Sequence, residues 1–368
     1  MSRVAALMVI GGVMSVTIAC GSGTPGASPT VTQTTRSEKD EAKPTVSGRT
    51  TAPGTETPEP PPPPHLLTFD FIDAENGWLA FGNSVSTTIM GTSDAGHSWA
   101  ELYQTPSEVQ SLDFISGSQG WMHSAEGLFE TSDGGRTWQM VNGSDLPENS
   151  RVQFVDDAHG WATGNWKNSR YPGRIFASTD AGSKWKEFDS PCDGLVVGVS
   201  FVTVDSGSLA CGGQPAAGME PKELYHTADA GQHWVKVSCA CFESDAHGVP
   251  NTMPWSGYLT DISFLDETHG WMDASRGGLS STSDGGVSWG SLPTGVDSGD
   301  EFTNEAKLLS VEVGYVIAGC SGISRLLGTT DGGVTWSSLY PPPFIENCST
   351  PELRSKPTHD LCGDSPHQ

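Results

Sequence analysis

An eight-residue stretch, Thr131–Trp138 (TSDGGRTW), recurs through the chain and decides its fold. Each copy has Ser or Thr first, Asp in the third position, Gly in the fifth and Trp in the eighth. The other copies are Thr92–Trp99 (TSDAGHSW), Ser178–Trp185 (STDAGSKW), Thr227–Trp234 (TADAGQHW), Thr282–Trp289 (TSDGGVSW) and Thr329–Trp336 (TTDGGVTW). Six matches of this length exclude chance, so one structural unit is repeated six times.

A second signature precedes each copy. It consists of an apolar residue followed, seven positions later, by an aromatic residue that comes directly after a glycine. The pairs are Phe71 and Trp78, Phe114 and Trp121, Phe154 and Trp161, Phe264 and Trp271, and Leu308 and Tyr315, with Phe201 and Ser208 as a degenerate pair. In the third unit, turn residues separate four short strands, A to D: Val152–Val155, Trp161–Thr163, Arg174–Ala177 and Trp185–Phe188. The period fits four-stranded propeller blades, so we predict an all-β, six-bladed propeller with antiparallel blades over residues 65–340.

The repeat resembles the Asp-box, or BNR, family of sialidases, sortilin-type receptors, some xyloglucan hydrolases and photosystem II assembly factors. The resemblance covers about Leu66 to Tyr340. It identifies the fold more sharply than the function, because one propeller serves unrelated tasks. Similarity to the photosystem II assembly-factor type would imply binding to a membrane-protein partner.

The N-terminal region predicts export. Arg3, the apolar run Val4–Ile18 and the sequence Ala19-Cys20-Gly21 are typical of a signal peptide over residues 1–19 that resembles a lipobox. We therefore expect lipidation of Cys20 and a place on the outer face of the cytoplasmic membrane or the cell surface; secretion without a lipid is the alternative. Residues 20–64 read as a Pro/Ser/Thr-rich tether, and residues 341–368 as a tail containing Pro and Cys.

Charge excludes one class of partner. The net charge of −25 argues against nucleic-acid binding, which needs clustered Lys and Arg. We expect a monomer whose partner is an envelope or membrane protein or an extracellular glycan.

The repeated aspartates are predicted to support their own turns rather than to form a catalytic or calcium set, because they lie one per blade. They are Asp94, Asp133, Asp180, Asp229, Asp284 and Asp331. No motif for a cofactor, a metal or a catalytic nucleophile accompanies them.

Propeller topology sorts the remaining features onto two faces. The A–B and C–D turns share one face, here called the box face, and the B–C and D–A loops share the other, the loop face. Ligand-binding candidates on the loop face are Trp166, Arg170, Tyr171, Arg174, Trp255, Tyr258, Arg276 and Arg325. Aromatic and arginine side chains on loops of a rigid scaffold are typical of binding sites. The alternative is that each tryptophan packs its own loop.

Seven cysteines follow Cys20 and are disulfide candidates in an oxidising compartment. They are Cys192, Cys211, Cys239, Cys241, Cys320, Cys348 and Cys362. We expect Cys192 to pair with Cys211, and the tail to be fastened through Cys320, Cys348 or Cys362. The spacing of Cys239 and Cys241 lacks the further ligands of a zinc site.

Three functions are compatible with the sequence. We favour a non-enzymatic, lipid-anchored binding module or assembly scaffold that uses the loop face. A sialidase-like or other glycoside hydrolase is the alternative, although Gly173-Arg174-Ile175-Phe176 departs from the Arg-Ile-Pro sequence of sialidases at its last residue. The acidic loop holding Asp297, Asp300, Glu301 and Glu305 leaves a xyloglucan-hydrolase-type pair open. The third is a structural envelope protein without a small ligand.

Overall fold

The computed structural model describes residues 63–164, 173–242, 248–293, 301–320 and 323–340, and over these residues every element is a β-strand. Blade 1 contains β1 (His65–Phe71), β2 (Gly77–Asn83), β3 (Ser86–Thr92) and β4 (Ala100–Thr105), and blade 2 contains β5 (Val109–Phe114), β6 (Gly120–Ser124), β7 (Gly127–Thr131) and β8 (Gln139–Met140). Blade 3 contains β9 (Arg151–Phe154), β10 (Gly160–Gly164), β11 (Arg174–Ser178) and β12 (Lys186–Phe188), and blade 4 contains β13 (Leu195–Phe201), β14 (Gly207–Gly212), β15 (Lys222–Thr227) and β16 (Val235–Ala240). Blade 5 contains β17 (Tyr258–Phe264), β18 (Gly270–Ser275), β19 (Gly278–Thr282) and β20 (Gly290–Leu292), and blade 6 contains β21 (Glu301–Leu308), β22 (Gly314–Cys320), β23 (Ile323–Thr329) and β24 (Ser337–Tyr340).

Each blade is an antiparallel sheet of four consecutive strands, in the order A-B-C-D. The predicted six-bladed propeller is therefore confirmed. Every described sheet is complete within its own segment of chain, so no strand is shared between the first and last blades. No helix in the described ranges is long and apolar enough to cross a membrane.

Neighbouring blades pack through the aromatic residues of the second signature. The strand-B tryptophan of one blade stacks on the strand-A phenylalanine of the next: Trp78 lies 3.7 Å from Phe114, and Trp121 lies 3.8 Å from Phe154, between ring centroids. Phe71 and Tyr315 make the same stack, at 3.7 Å, where blade 6 meets blade 1. The first and last blades are thus joined by side chains. The aromatic residues of the second signature recur in the sequence because they stack between neighbouring blades.

The junction of blades 4 and 5 lacks this stack, because Ser208 stands where the tryptophan is expected. The chain between β16 and β17 compensates for the loss: Met253 is 2 % exposed and joins a buried cluster with Leu224 and Phe264. Trp255 packs against the same cluster. At this junction the His226 ring, beside Ser208, meets Phe264 edge-on at 5.7 Å, and the insertion into blade 5 adds Met253 to the buried cluster.

Strand A carries a β-bulge in five of the blades, at Leu66/Thr68, Val109/Ser111, Val196/Gly198, Leu259/Asp261 and Thr303/Glu305. A bulge changes the direction in which the following side chains point. In blades 2, 4, 5 and 6 the two residues at alternate positions after the bulge line the central cavity described below, and in blade 1 Asp70 does so.

The box turns share one set of bonds, illustrated by blade 2. Asp133 Oδ1 accepts hydrogen bonds from the backbone N–H of Thr137 (2.9 Å) and from Thr131 Oγ1 (2.9 Å). The Trp138 indole donates to the Gly135 carbonyl at 3.1 Å, and blades 1, 5 and 6 repeat this bond. In blade 3 the Trp185 indole donates to Ser144 Oγ instead, and in blade 4 the Trp234 indole nitrogen has no partner. Gly134 N donates to Ser118 O, at 2.8 Å, in the A–B turn. The A–B and C–D turns thus lie side by side on the box face.

Candidate functional site

Two regions hold side chains that a packed propeller does not require: the loop face around blades 4 and 5, and the central cavity. The other predicted loop-face residues are dispersed or outside the described ranges. Trp166, Arg170 and Tyr171 fall in residues 165–172, which are not described.

The arginines predicted for the loop face occupy separate places. Arg174 donates to Glu187 Oε2 at 2.7 Å, in the outermost strand of blade 3. Arg276 is exposed in the β18–β19 turn with a φ of 64°. Arg325 is half-buried in β23, and its Nε has no hydrogen-bond partner. A further arginine, Arg151 of β9, lines the central cavity. These contacts do not bring the arginines together around a single carboxylate.

The predicted pairing of Cys192 with Cys211 is confirmed. Cys192, before blade 4, is joined to Cys211, at the end of strand B, and both side chains are buried. Cys239 and Cys241 form a second disulfide at the start of the insertion. No cluster of metal-ligating side chains occurs in the described part of the chain. Pairing of the tail cysteines lies outside that part.

Lys222, at the start of β15, is fully buried under the insertion. Its ammonium group lies 3.0 Å from the carbonyls of Pro254 and Gly257 and 3.1 Å from that of Ser256. Two more carbonyls, from Glu220 and Trp255, lie at 3.3 Å. Burial lowers the pKa of Lys222 to about 8, against the attraction of Glu220. A buried cation therefore fastens the insertion to blade 4.

Apolar side chains are exposed on the loops that this cation holds. Phe242 is 67 % exposed, and its ring centroid lies 5.4 Å from that of Trp255. Met219, in the B–C loop of blade 4, is 50 % exposed and pairs with Ser256 through a β-bridge. We call Met219, Phe242 and Trp255 the loop-face patch. Trp255 itself is half-buried, as is Tyr258 at the start of β17.

The central cavity, of about 120 Å³, is framed by strand A of all six blades. The residues directly before the strand-A Phe or Leu of the second signature form what we call the junction ring. Its members are Asp70, Asp113, Gln153, Ser200, Ser263 and Lys307. Five of them accept a hydrogen bond from the next blade's backbone; for example, Phe114 N donates to Asp70 Oδ2 at 2.7 Å and Phe154 N to Asp113 Oδ2 at 2.6 Å.

Lys307 cannot accept such a bond, and it closes the ring differently. Its Nζ lies 2.8 Å from Asp70 Oδ1. Although burial lowers the pKa of Lys307, the carboxylates of Asp70 and Asp113 raise it above the ordinary range of lysine. The junction of blades 6 and 1 is therefore stabilised by an ion pair.

The layer two residues earlier on strand A contains Arg151, Gly198, Asp261 and Glu305. Arg151 reaches past Gly198, which has no side chain, to lie 3.7 Å from Asp261 Oδ1. Glu305 Oε1 accepts a hydrogen bond from Thr68 Oγ1 at 3.0 Å, and Glu305 Oε2 is buried without a partner. Burial raises the pKa of Glu305 to about 8 despite the nearby Arg151.

Our reasoning from the sequence missed the junction ring and Lys222. A polar residue directly before each strand-A Phe or Leu was the available signal for the ring. No signal marks Lys222, because a lysine between Pro221 and Glu223 looks like a surface residue.

Comparison with known proteins agrees with this architecture. Residues 249–342, which contain blades 5 and 6, match the family profile described as "Photosynthesis system II assembly factor YCF48". The match to this family covers blades 5 and 6 of the six-bladed propeller. No curated protein sequence matches the chain significantly.

Several solved structures resemble this propeller in fold. YCF48 bound to D1 peptide has 20% identity over 74% of this chain and 82% of that chain, with a TM-score of 0.45. YCF48 from Cyanidioschyzon merolae has 17% identity over 74% and 97%, with a TM-score of 0.45. The GH74 xyloglucanase from Xanthomonas campestris has 11% identity over 76% and 61%, with a TM-score of 0.44. At these identities the likeness concerns the fold alone.

Proposed function

We propose that this propeller is a non-enzymatic binding module, attached to the membrane by a lipid on Cys20, that recognises a protein partner through its loop face. The observation that carries the proposal is the loop-face patch. Phe242 and Met219 are large apolar side chains that remain 67 % and 50 % exposed on loops fastened by a disulfide and by Lys222. Exposed apolar side chains on a rigid frame are typical of protein-binding surfaces.

The chemistry of the patch favours a protein over a sugar. Met219, which is bridged to Ser256 next to Trp255, adds an exposed and flexible apolar side chain, which suits the aliphatic side chains of a protein. The net charge of −25 favours a partner whose contact surface has a basic rim. The match of blades 5 and 6 to a family described as an assembly factor supports the same class of function.

Site-specific cross-linking in the native envelope tests this proposal. A benzophenone side chain would replace Phe242 in one variant and Val334, which is 68 % exposed in a box turn, in another. We expect one discrete protein adduct from position 242 and none of the same mass from position 334. Equal adducts from both positions, or none from 242, would contradict the proposal. Recovery of a glycan adduct from 242 would turn the site into a sugar-binding one.

A further inference from the structure

The junction of blades 5 and 6 departs from the other stacked junctions, because strand A of blade 6 has Leu308 where the other blades have a phenylalanine. A Cβ on Gly77 or on Gly120 would first meet the phenylalanine ring of its own blade. At Gly314, the corresponding glycine of blade 6, a Cβ would first meet Trp271 of blade 5. The Trp271 ring therefore occupies the place that a phenylalanine takes in the other blades.

The box tryptophan of blade 6 shows the same shift. In blade 2 the ring of Trp138 meets that of Phe114 edge-on, with 5.9 Å between centroids. In blade 6 the ring of Trp336 meets that of Trp271 instead, at 5.8 Å. Because Trp271 fills the phenylalanine position, the space that a strand-B tryptophan takes at the other junctions is left without its ring.

Two contacts define where a strand-B indole lies between blades 1 and 2. Trp78 pairs with Gly91 of strand C, and a Cβ on Gly91 would lie 3.6 Å from Trp78 Cδ1. The Trp78 indole N–H donates to the Gly134 carbonyl in the box turn of the next blade, at 3.0 Å. Trp161 makes the same bond to the Ala230 carbonyl at 3.3 Å. Strand C and one box carbonyl thus hold the indole.

The corresponding residues between blades 5 and 6 line a pocket. Ser281 corresponds to Gly91 and Gly332 to Gly134, and both border a space of about 330 Å³ on the box face. Gly290 of strand D, opposite Ser281, also lines this space, and a Cβ there would meet nothing within 4 Å. In the described part of the chain no hydrogen bond reaches the Gly332 carbonyl oxygen. The pocket therefore keeps the acceptor for an indole N–H but not the indole.

The walls of the pocket suit a flat, largely apolar ring. Leu308 and Val311 supply apolar side chains from blade 6. A sugar is a poorer match, because Trp271 is only 3 % exposed and the Ser288 hydroxyl already donates to Asp284 Oδ2 at 2.6 Å. The volume lies near the lower end of the range of small-ligand pockets, roughly 300–1,000 Å³. An indole offers both the flat apolar area and the N–H donor.

We propose that this space, called the blade 5/6 pocket and lined by Ser281, Gly290, Leu308 and Gly332, binds an indole group whose N–H donates to the Gly332 carbonyl. The group belongs either to a free indole or to a tryptophan side chain of a protein. The pocket lies on the box face and the loop-face patch on the other, so the proposal stands or falls separately from the proposed function.

Fluorine NMR on the purified full chain tests the pocket. The probes are a ring-fluorinated indole and the N-acetyl amide of ring-fluorinated tryptophan. The N-methyl derivative of the fluorinated indole, which lacks the N–H, is the matched control. We expect the wild-type chain to bind at least one of the two probes with a dissociation constant below roughly 1 mM. The N-methyl derivative should bind at least about fivefold more weakly than the fluorinated indole, because it cannot donate to the Gly332 carbonyl.

Two variants close the pocket without removing buried atoms. Leu308→Phe restores the phenylalanine of strand A and should return the Trp271 ring to the pocket, whereas Gly290→Leu adds a side chain where space is open. Each should weaken binding of the probe at least about tenfold. Gly117→Leu, in the A–B turn of blade 2, is the control, because a Cβ there also meets nothing within 4 Å. Its affinity should equal that of the wild-type chain.

Thermal melts check that each variant is folded. Binding of the fluorinated indole alone assigns the pocket to free indoles, and binding of the tryptophan amide assigns it to protein side chains. The proposal would be overturned by any of three results: no binding of either probe up to about 5 mM, equal binding of the N-methyl derivative, or unchanged binding by a folded pocket variant.

Discussion

On the box face the six C–D turns repeat one set of hydrogen bonds, whereas on the loop face the described loops of blades 4 and 5 use bonds found nowhere else in the described chain. Thr92 and Thr329 bond their box aspartates at the same distance, 2.8 Å, in the first and last blades. The loop face instead relies on a buried lysine and on two disulfides. The repeated face serves the fold, and the irregular face is free to serve a partner.

The largest effect should come from Lys222→Met. It would leave five backbone carbonyls of the insertion and blade 4 without their donor. We expect a loss of about 3 kcal/mol in the free energy of unfolding. Urea denaturation measures it, with Lys184→Met, an exposed lysine in the blade 3 box, as the control. A loss no greater than that of the control would show that the lysine does not fasten the insertion.

The next effect concerns the box face. Gly286 has a φ of 82°, and a Cβ there would lie 2.1 Å from Leu224 Cδ2. Gly286→Ala should therefore lower the free energy of unfolding by about 2 kcal/mol. In Gly290→Ala the new Cβ meets nothing within 4 Å, so that variant should be nearly neutral. Equal stability of the two variants would contradict the tight packing of the box turn.

The free energy of unfolding should depend on pH in two opposite ways, one set by the box aspartates and the other by the buried carboxyl groups of the cavity. A side-chain hydrogen bond from Ser98 lowers the pKa of Asp94 to about 2, so the box contribution is complete above about pH 4 and is lost as pH falls towards 2. Burial raises the pKa of Asp113 to about 7, so its contribution to stability has the opposite pH dependence. A folded state that binds the proton more tightly is stabilised at low pH, and this stabilisation is lost as pH rises from about 4 to 7.

Asp113→Asn isolates the contribution of the cavity. The variant should lose less stability than the wild-type chain between pH 5 and 8, by on the order of 1–2 kcal/mol, because the amide does not ionise. Denaturant midpoints at several pH values give the comparison. Parallel profiles for the two proteins would show that Asp113 is ionised across this range.

The smallest effect on the free energy of unfolding concerns the residue directly before the box glycine, which is Ala in some boxes and Gly in others. Ala230 has a φ of 61°, a left-handed conformation that costs an alanine energy. Ala230→Gly should raise the free energy of unfolding by roughly 0.5–1 kcal/mol. Ala100→Gly, in exposed strand β4, should lower it instead. A loss of stability in both variants would contradict the strain assigned to Ala230.

The sequence predicts the box face well and the loop face poorly, for a physical reason. A box turn depends on residues within eight positions of one another, such as Thr131 and Trp138, so its pattern is visible along the chain. The contacts of Lys222 with Gly257, or of Arg151 with Asp261, join residues far apart in sequence. Trp255 illustrates the limit: its position off the repeat is visible in the sequence, but its packing against a cluster that includes Leu224 and Phe264 is not.

The central claim, that the loop face binds a protein partner, is tested most directly by affinity. Once cross-linking at position 242 has identified a partner, its dissociation constant would be measured with the purified wild-type chain, Phe242→Ser and Val334→Ser. The account predicts at least about tenfold weaker binding for Phe242→Ser and an unchanged constant for Val334→Ser. Unchanged binding by Phe242→Ser, or equal weakening by both variants, would contradict it.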